Sequence, residues 1–179
     1  YDACFVGRFH YQKGVLELIK IWKLVCLKNP QALLAMIGSG PLDNEVKHLI
    51  KKLDLSKNIY LAGFLDGPKK FEIFKQSRLV LHPATFDSGG MAAAEAMAWG
   101  LPGVSFDLKA LKTYYPKGML KTNCFDTEEF AENIISLLFD PFKYRAMSLE
   151  ALQLVKEKWE WNNRAKDIYA QAIVQNILA

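Results

Sequence analysis

Residues 3–26 read ACFVGRFHYQKGVLELIKIWKLVC, and the order of their parts decides the fold. ACFV is a short apolar run with the look of a buried strand. Gly7 lets the chain turn directly after it. Beyond Gly14, apolar residues fall at Val15, Leu18, Ile19, Trp22, Val25 and Cys26, the spacing of a helix with one buried face. Asn29-Pro30 stops that helix, because proline lacks an amide and drives its predecessor out of helical backbone. Residues 32–37, ALLAMI, are continuously apolar, as a central parallel strand covered on both faces should be. Strand, glycine turn, helix, strand is the start of a parallel sheet.

The alternation continues outward from this unit. A helix is expected over about 42–53, with Leu42, Val46, Leu49, Ile50 and Leu53 on one face. Residues 58–62 read as a strand, 69–76 as a short helix and 78–82 as a strand. An Ala-rich helix follows over 90–99, then a strand over 102–106 and a weaker one near 118–121. Helices are expected over about 127–139, 141–158 and 161–178. The pattern predicts an α/β, Rossmann-like, doubly wound parallel sheet with helices on both faces and a helical C-terminal tail. Such sheets bind ligands at the carboxyl ends of their strands. GRFHYQKG, GSGP, GFLDG and HPATFDSGG follow the first four strands, so glycine and polar residues gather at that edge.

The 179 residues allow one domain with one sizeable core. With 23 basic against 19 acidic residues, the net charge of +4 suits a phosphate-bearing ligand or an anionic membrane surface. No Arg-rich tract, zinc-finger spacing or basic stripe with interleaved aromatics points to nucleic acid. Cys4, Cys26 and Cys124 form no CxxC pair or disulfide framework and read as reduced thiols of a cytoplasmic protein. No apolar run approaches the roughly 18 residues needed to span a bilayer, and no signal peptide is expected. The chain opens on YDACFVG without a Met, which reads as a fragment whose N-terminal part is missing.

Three stretches could carry chemistry. In GRFHYQKG, residues 7–14, Arg8 supplies a fork of donors suited to phosphate oxygens, and Lys13, expected one turn into the next element, adds a point charge. In GSGPL, residues 38–42, a dinucleotide fingerprint fails because Asp43 stands at the third glycine position. That leaves a tight turn into a helix or a backbone cradle. In FDSGGMAAAEAMAWG, residues 86–100, Gly89 and Gly90 permit close backbone approach, and the helix that begins there offers free amides to an anion. Asp87 before that helix and Glu95 within it could face one pocket at different depths. The plainer reading is an Ala-rich packing helix capped by Asp87 or Ser88, with Glu95 solvated. His10, His48 and His82 show no metal-ligand spacing and read as turn or surface residues. Trp159 and Trp161 read as core or interdomain anchors.

Taken in order, G-R-x4-K-G, G-x-G-P, a strand followed by G-F-L, and D-x7-E-A-M-A-x-G-x-P resemble the C-terminal, nucleotide-sugar-binding domain of the family-four (group 1) retaining glycosyltransferases of GT-B architecture. KWEWNNRAKDIY, residues 158–169, is similar to that family's W-x-x-x-A-x-x-x-x-Y signature at Trp161, Ala165 and Tyr169, with imperfect spacing. The resemblance covers nearly all of residues 1–179 and implies one donor-binding half of a GT-B enzyme. It implies transfer of a hexosyl group from a nucleoside-diphosphate sugar to a glycan or lipid-linked acceptor, the acceptor bound by an N-terminal domain absent here. By the same resemblance Arg8 and Lys13 hold the diphosphate and neutralise the leaving group. Phe64, Leu65 and Asp66 border the base, Asp87 faces the donor sugar, and Glu95 binds the ribose hydroxyls. Gly7, Gly38, Gly89 and Gly90 bring backbone close, and amides near Gly90, Met91 and Ala92 contact sugar or phosphate. Arg8, Lys13 and Asp87 are the expected catalytic set.

The resemblance also implies no cofactor and no metal, polysaccharide or glycolipid assembly, and peripheral contact with the cytoplasmic membrane face. The sequence departs from the family in three places. Asp87 replaces the usual Glu, Gly89 replaces a common aromatic, and FDLKALKTYYPKG (106–118) lacks the G-G-x-x-E loop. Two other readings stand beside this one: a non-catalytic nucleotide- or sugar-binding module on the same fold, and a redox Rossmann domain that NAD binding would reveal.

Overall fold

The structure is a computed structural model that describes residues 1–160 together with 162, 165, 166, 169 and 170. Its strands are β1 (Ala3–Val6), β2 (Leu34–Ile37), β3 (Ile59–Gly63), β4 (Leu79–His82), β5 (Gly103–Phe106) and β6 (Met119–Thr122). All pair in parallel, in the order β3-β2-β1-β4-β5-β6. The order reverses between β1 and β4, and that crevice is where a doubly wound sheet takes its ligand. The helices are α1 (Val15–Lys28), α2 (Asp43–Lys52), α3 (Gly67–Lys75), α4 (Met91–Met97), α5 (Lys109–Tyr114), α6 (Thr127–Phe139) and α7 (Pro141–Lys158).

Successive strand residues feed opposite layers, as the pleat requires. Phe5, Met36, Leu81 and Phe106 join α1, α2 and α6 on one face. Cys4, Ile37 and Val80 join α3, α4, α5 and α7 on the other. Trp22 and Phe130 fill the first layer, Phe74 and Tyr115 the second, all fully buried. This double covering is why the inner strands read as unbroken apolar runs.

Most predicted elements lie within two residues of their observed bounds. The Ala-rich helix is shorter than 90–99, because Gly90 takes a left-handed φ of 63° and acts as its N-cap. Helix α5 was not expected. It is six residues long and held by one buried side chain, Leu111, too little to imprint a period. The terminal helix expected over 161–178 falls largely outside the described residues, Trp161 included. The ladder between β2 and β3 is irregular: Met36 pairs with Leu61 but Ile37 with Gly63, leaving Ala62 as an extra residue. Among the described residues no helix is long and apolar enough to cross a membrane.

Candidate functional site

Above the carboxyl ends of β1, β2 and β3 the loops form a cleft of about 590 Å³. Its floor is made where two loops run side by side. Gly7 donates its amide to Ile37 and Phe9 donates to Ser39, each at 3.0 Å. The approach is so close that a Cβ on Gly38 would lie 1.9 Å from the Gly7 carbonyl oxygen, and Gly38 has a φ of 144°. GSGP is therefore a crossing of two backbones, which only glycine permits. Asp43, at the position where a dinucleotide fingerprint needs glycine, accepts the Gly40 amide at 3.0 Å. Gly7, Arg8, Gly38, Phe64, Leu65 and Asp66 all line the cleft. Arg8 is exposed and Phe64, 77% exposed, stands free at the rim.

A second group forms beside it, at the end of β4. Residues Tyr11–Lys13 make a 3-10 turn with His10 as its N-cap, so Lys13 precedes α1 rather than lying one turn inside it. The turn fixes the loop after β4, because Gln12 offers its carbonyl to the amides of Thr85 and Phe86. Lys13 Nζ meets Asp87 Oδ2 at 2.6 Å. Asp87 Oδ1 accepts the amides of Gly89 at 3.1 Å and Gly90 at 2.9 Å. Asp87 thus caps its own loop, not α4. Gly90 is pinned from the other side by Tyr115, whose hydroxyl donates to its carbonyl at 2.6 Å. The amides of Met91 and Ala92 open α4 without an acceptor among the described residues.

His82 is not the turn or surface residue expected from the sequence. It ends β4, is 4% exposed, and puts Nε2 3.2 Å from Asp87 Oδ2. The approach lies outside hydrogen-bond geometry, leaving Nε2 without a partner among the described residues. His82, then Lys13 and the two glycine amides, hold the Asp87 carboxyl well below the usual carboxylate range against the opposing pull of burial.

Glu95 is not part of the cleft lining. Its Oε2 accepts from Lys70 Nζ at 2.8 Å, and Lys70 in turn lines the cleft and lies 3.2 Å from Asp66. Sequence reasoning missed Lys70, which looked like one more charge on a short helix. The available signal was its spacing, four residues after Asp66. Two groups therefore stand where one pocket was expected: a cleft with Arg8 and the 64–66 loop, and a knot of Lys13, His82, Asp87 and the glycines.

Among the described residues no group of three or more His, Cys, Asp or Glu could hold a metal ion. Burial pushes the Cys4 thiol up to about 12 and the half-buried Cys26 thiol to about 11, so neither is a ready nucleophile. Trp159 packs against Tyr114 and Tyr115 as an anchor of the second layer.

The sequence matches the family described as "Glycosyl transferases group 1" over residues 1–153. It is 26% identical over 161 residues to the poly(glycerol-phosphate) alpha-glucosyltransferase of Bacillus subtilis (strain 168), covering 88% of this chain and 24% of that protein. The first curated relatives it matches are much longer; the chain spans 24% to 42% of their length. In three dimensions it superposes on the C-terminal domain of LpcC, a group 1 glycosyl transferase from Francisella tularensis. That match has a TM-score of 0.78 at 19% identity, covering 89% of this chain and 86% of that one. HepE of Anabaena, crystallised with UDP and glucose, matches at a TM-score of 0.82 and 18% identity, over 95% of this chain and 47% of that one. At these identities the two structures show a shared fold, that of GT-B C-terminal domains.

Proposed function

The chain belongs to the group 1 glycosyl transferases, and from that premise we propose that it is the donor-binding half, residues 1–179, of a retaining hexosyltransferase of GT-B architecture. It takes a nucleoside-diphosphate sugar and, with an N-terminal acceptor domain, passes the hexosyl group to a glycan or lipid-linked acceptor. The observation that carries this reading is the arrangement of cations at the switch point. Arg8 opens on the cleft, and Lys13, on the same loop after β1, is held against the loop after β4 by Asp87 and by the turn that Gln12 fastens there.

The parts divide as follows. Arg8 and Lys13 receive the diphosphate and offset the charge that develops as the sugar leaves. Gly7 and Gly38 keep side chains out of its way. Phe64 offers a ring face to the base, with Leu65 and Asp66 beside it. Gly89, Gly90, Met91 and Ala92 supply backbone, the last two through amides that lack an internal acceptor. Glu95 takes the ribose hydroxyls. Asp87 is 8% exposed with both oxygens engaged. It holds Lys13, and turns to the donor sugar once the diphosphate claims that lysine. The chemistry runs without metal or cofactor. The HepE complex with UDP and glucose and the glucosyltransferase relative support a nucleotide-sugar donor. We place the enzyme in the cytoplasm, in peripheral contact with the membrane, where polysaccharide or glycolipid is assembled.

One observation favours a second reading, a non-catalytic module that binds nucleotide. Asp87 is one methylene shorter than the family's usual glutamate and is already satisfied inside its loop. Calorimetric titration with UDP, GDP and ADP, alongside Arg8→Ala and Glu95→Ala, tests the shared premise. One diphosphate should bind with Kd of roughly 10–300 μM and weaken in both variants. Silence for all three overturns the donor reading. Turnover of the chain together with its acceptor domain, with the anomeric configuration of the product read by NMR, separates enzyme from module. Turnover by residues 1–179 alone would overturn the two-domain division.

A further inference from the structure

Lys70 is the least expected charge in the molecule. It is 8% exposed and reaches from α3 to Glu95 on α4. Lysine is almost never that buried unless paired, and here its ammonium meets Glu95 Oε2 at 2.8 Å and Asp66 Oδ1 at 3.2 Å. Burial alone would lower its proton affinity, yet the two carboxylates hold it above its ordinary value.

The arrangement is a poor device for stability. Asp66 is largely in solvent and the Glu95 side chain is 45% exposed, and pairs with exposed partners contribute little. A methionine at this position would fill the same space without desolvating a charge. Its value lies in what it does to the acids. Asp66 belongs to the loop after β3 and Glu95 to α4, two elements with no other ion pair between them among the described residues. Lys70 ties them together and is itself part of the cleft wall. Glu95 is held through one oxygen only, and its Oε1 accepts nothing among the described residues. A carboxylate fixed through one oxygen presents the other at a set height and angle, which is what a vicinal diol needs.

Resting on the donor reading above, we propose that Lys70 is a positioning residue for nucleotide recognition. It clasps Asp66 and Glu95 so that Glu95 Oε1 reads the ribose hydroxyls, and it thereby sets the preference for ribonucleotides over nucleotides lacking those hydroxyls. Lys70 does not touch the reacting bond. Its removal should leave the cations at the diphosphate unchanged and erase discrimination at the sugar of the nucleotide.

The test is calorimetry of the chain with UDP, GDP and ADP and with their 2′,3′-dideoxy counterparts. The wild type should prefer the ribonucleotide by roughly tenfold or more, the worth of a hydrogen bond to a charged group. Lys70→Met should bring that ratio close to one while the dideoxy affinity holds. Lys70→Arg, which keeps the cation, should restore most of it. Asp66→Asn, an exposed change, should lower the ratio in the same direction and decides the matter if Lys70→Met does not fold. A ratio unchanged in Lys70→Met and Asp66→Asn overturns the inference alone. So does a wild type that binds a diphosphate without preferring ribose. A wild type that binds none of the six overturns the donor reading as well.

Discussion

Lys13 Nζ lies 2.6 Å from Asp87 Oδ2, across 74 residues of sequence. The pair joins the turn before α1 to the loop after β4, the two segments that flank the switch point. Both residues belong to the proposed catalytic set, and each is the other's partner.

Removing one or the other should therefore have different effects. Lys13→Met should weaken nucleoside-diphosphate binding by roughly tenfold or more, because a charge-assisted contact is lost. Asp87→Asn should leave that affinity equal or slightly tighter, since Lys13 no longer has to leave a partner. In the enzyme with both domains, both variants should lose sugar transfer. Equal losses of diphosphate affinity would show that Asp87 is needed for binding itself.

Asp87, held first by His82 and then by Lys13 and the glycine amides, also sets an acid limit. Because the Asp87 carboxyl is held below its usual range in the folded chain, its contribution to stability is complete above the unfolded value, about 3.9. It is lost as pH falls from about 4 through the lower folded value. Urea midpoints at pH 6 and pH 3 should therefore drop more for the wild type than for Asp87→Asn. Parallel drops would remove Asp87 from the account.

Gly38→Ala should be the most damaging single methyl in the cleft. It would drive a Cβ to 1.9 Å from the Gly7 carbonyl oxygen at a backbone angle that L-residues rarely adopt. A loss of about 2–4 kcal/mol is expected from the strain and the overpacking together, measurable by urea unfolding. Nucleotide binding should fall even at temperatures where the variant is folded, because the Gly7–Arg8 backbone must move.

Phe64→Ala should do the reverse. With 77% of the residue in solvent, stability should change by less than about 0.5 kcal/mol. If the ring stacks on the base, affinity should fall by about 1–3 kcal/mol. Unchanged affinity would move the base elsewhere along the cleft.

The fold was legible because buried parallel strands leave apolar runs and their helices leave a period; ACFV and ALLAMI needed no context. The short helix α5 left no such mark, and the edge strand β6, half-buried as MLKT, only a faint one. Part of the cleft lining was legible: Arg8 and Gly38 from their place in glycine turns after strands, Phe64 only through the family resemblance. What could not be read was who meets whom. His82 reads as a turn or surface residue because it belongs to no metal-ligand cluster, yet it is the buried last residue of β4. Lys70 and Glu95 lie 25 residues apart; the spacing from Asp66 hints at one partner, and nothing local announces the second on α4. Asp87 reads as a pocket acid or a helix cap, and the same Gly-Gly that frees the backbone lets the loop fold onto its carboxylate.

The extra residue in β3 has an evolutionary corollary. Because Ala62 is skipped between the Met36–Leu61 and Ile37–Gly63 pairs, every position after it is turned by half a pleat relative to a regular ladder. Only Gly63 of the strand lies beyond the skip, so the irregularity sits where β3 gives way to the Phe64–Asp66 lining of the cleft. Loss of a single codon there would reset the register at the cleft wall while leaving the other strand pairs in place. An in-frame deletion is thus a short genetic route to a reshaped cleft wall on the same scaffold.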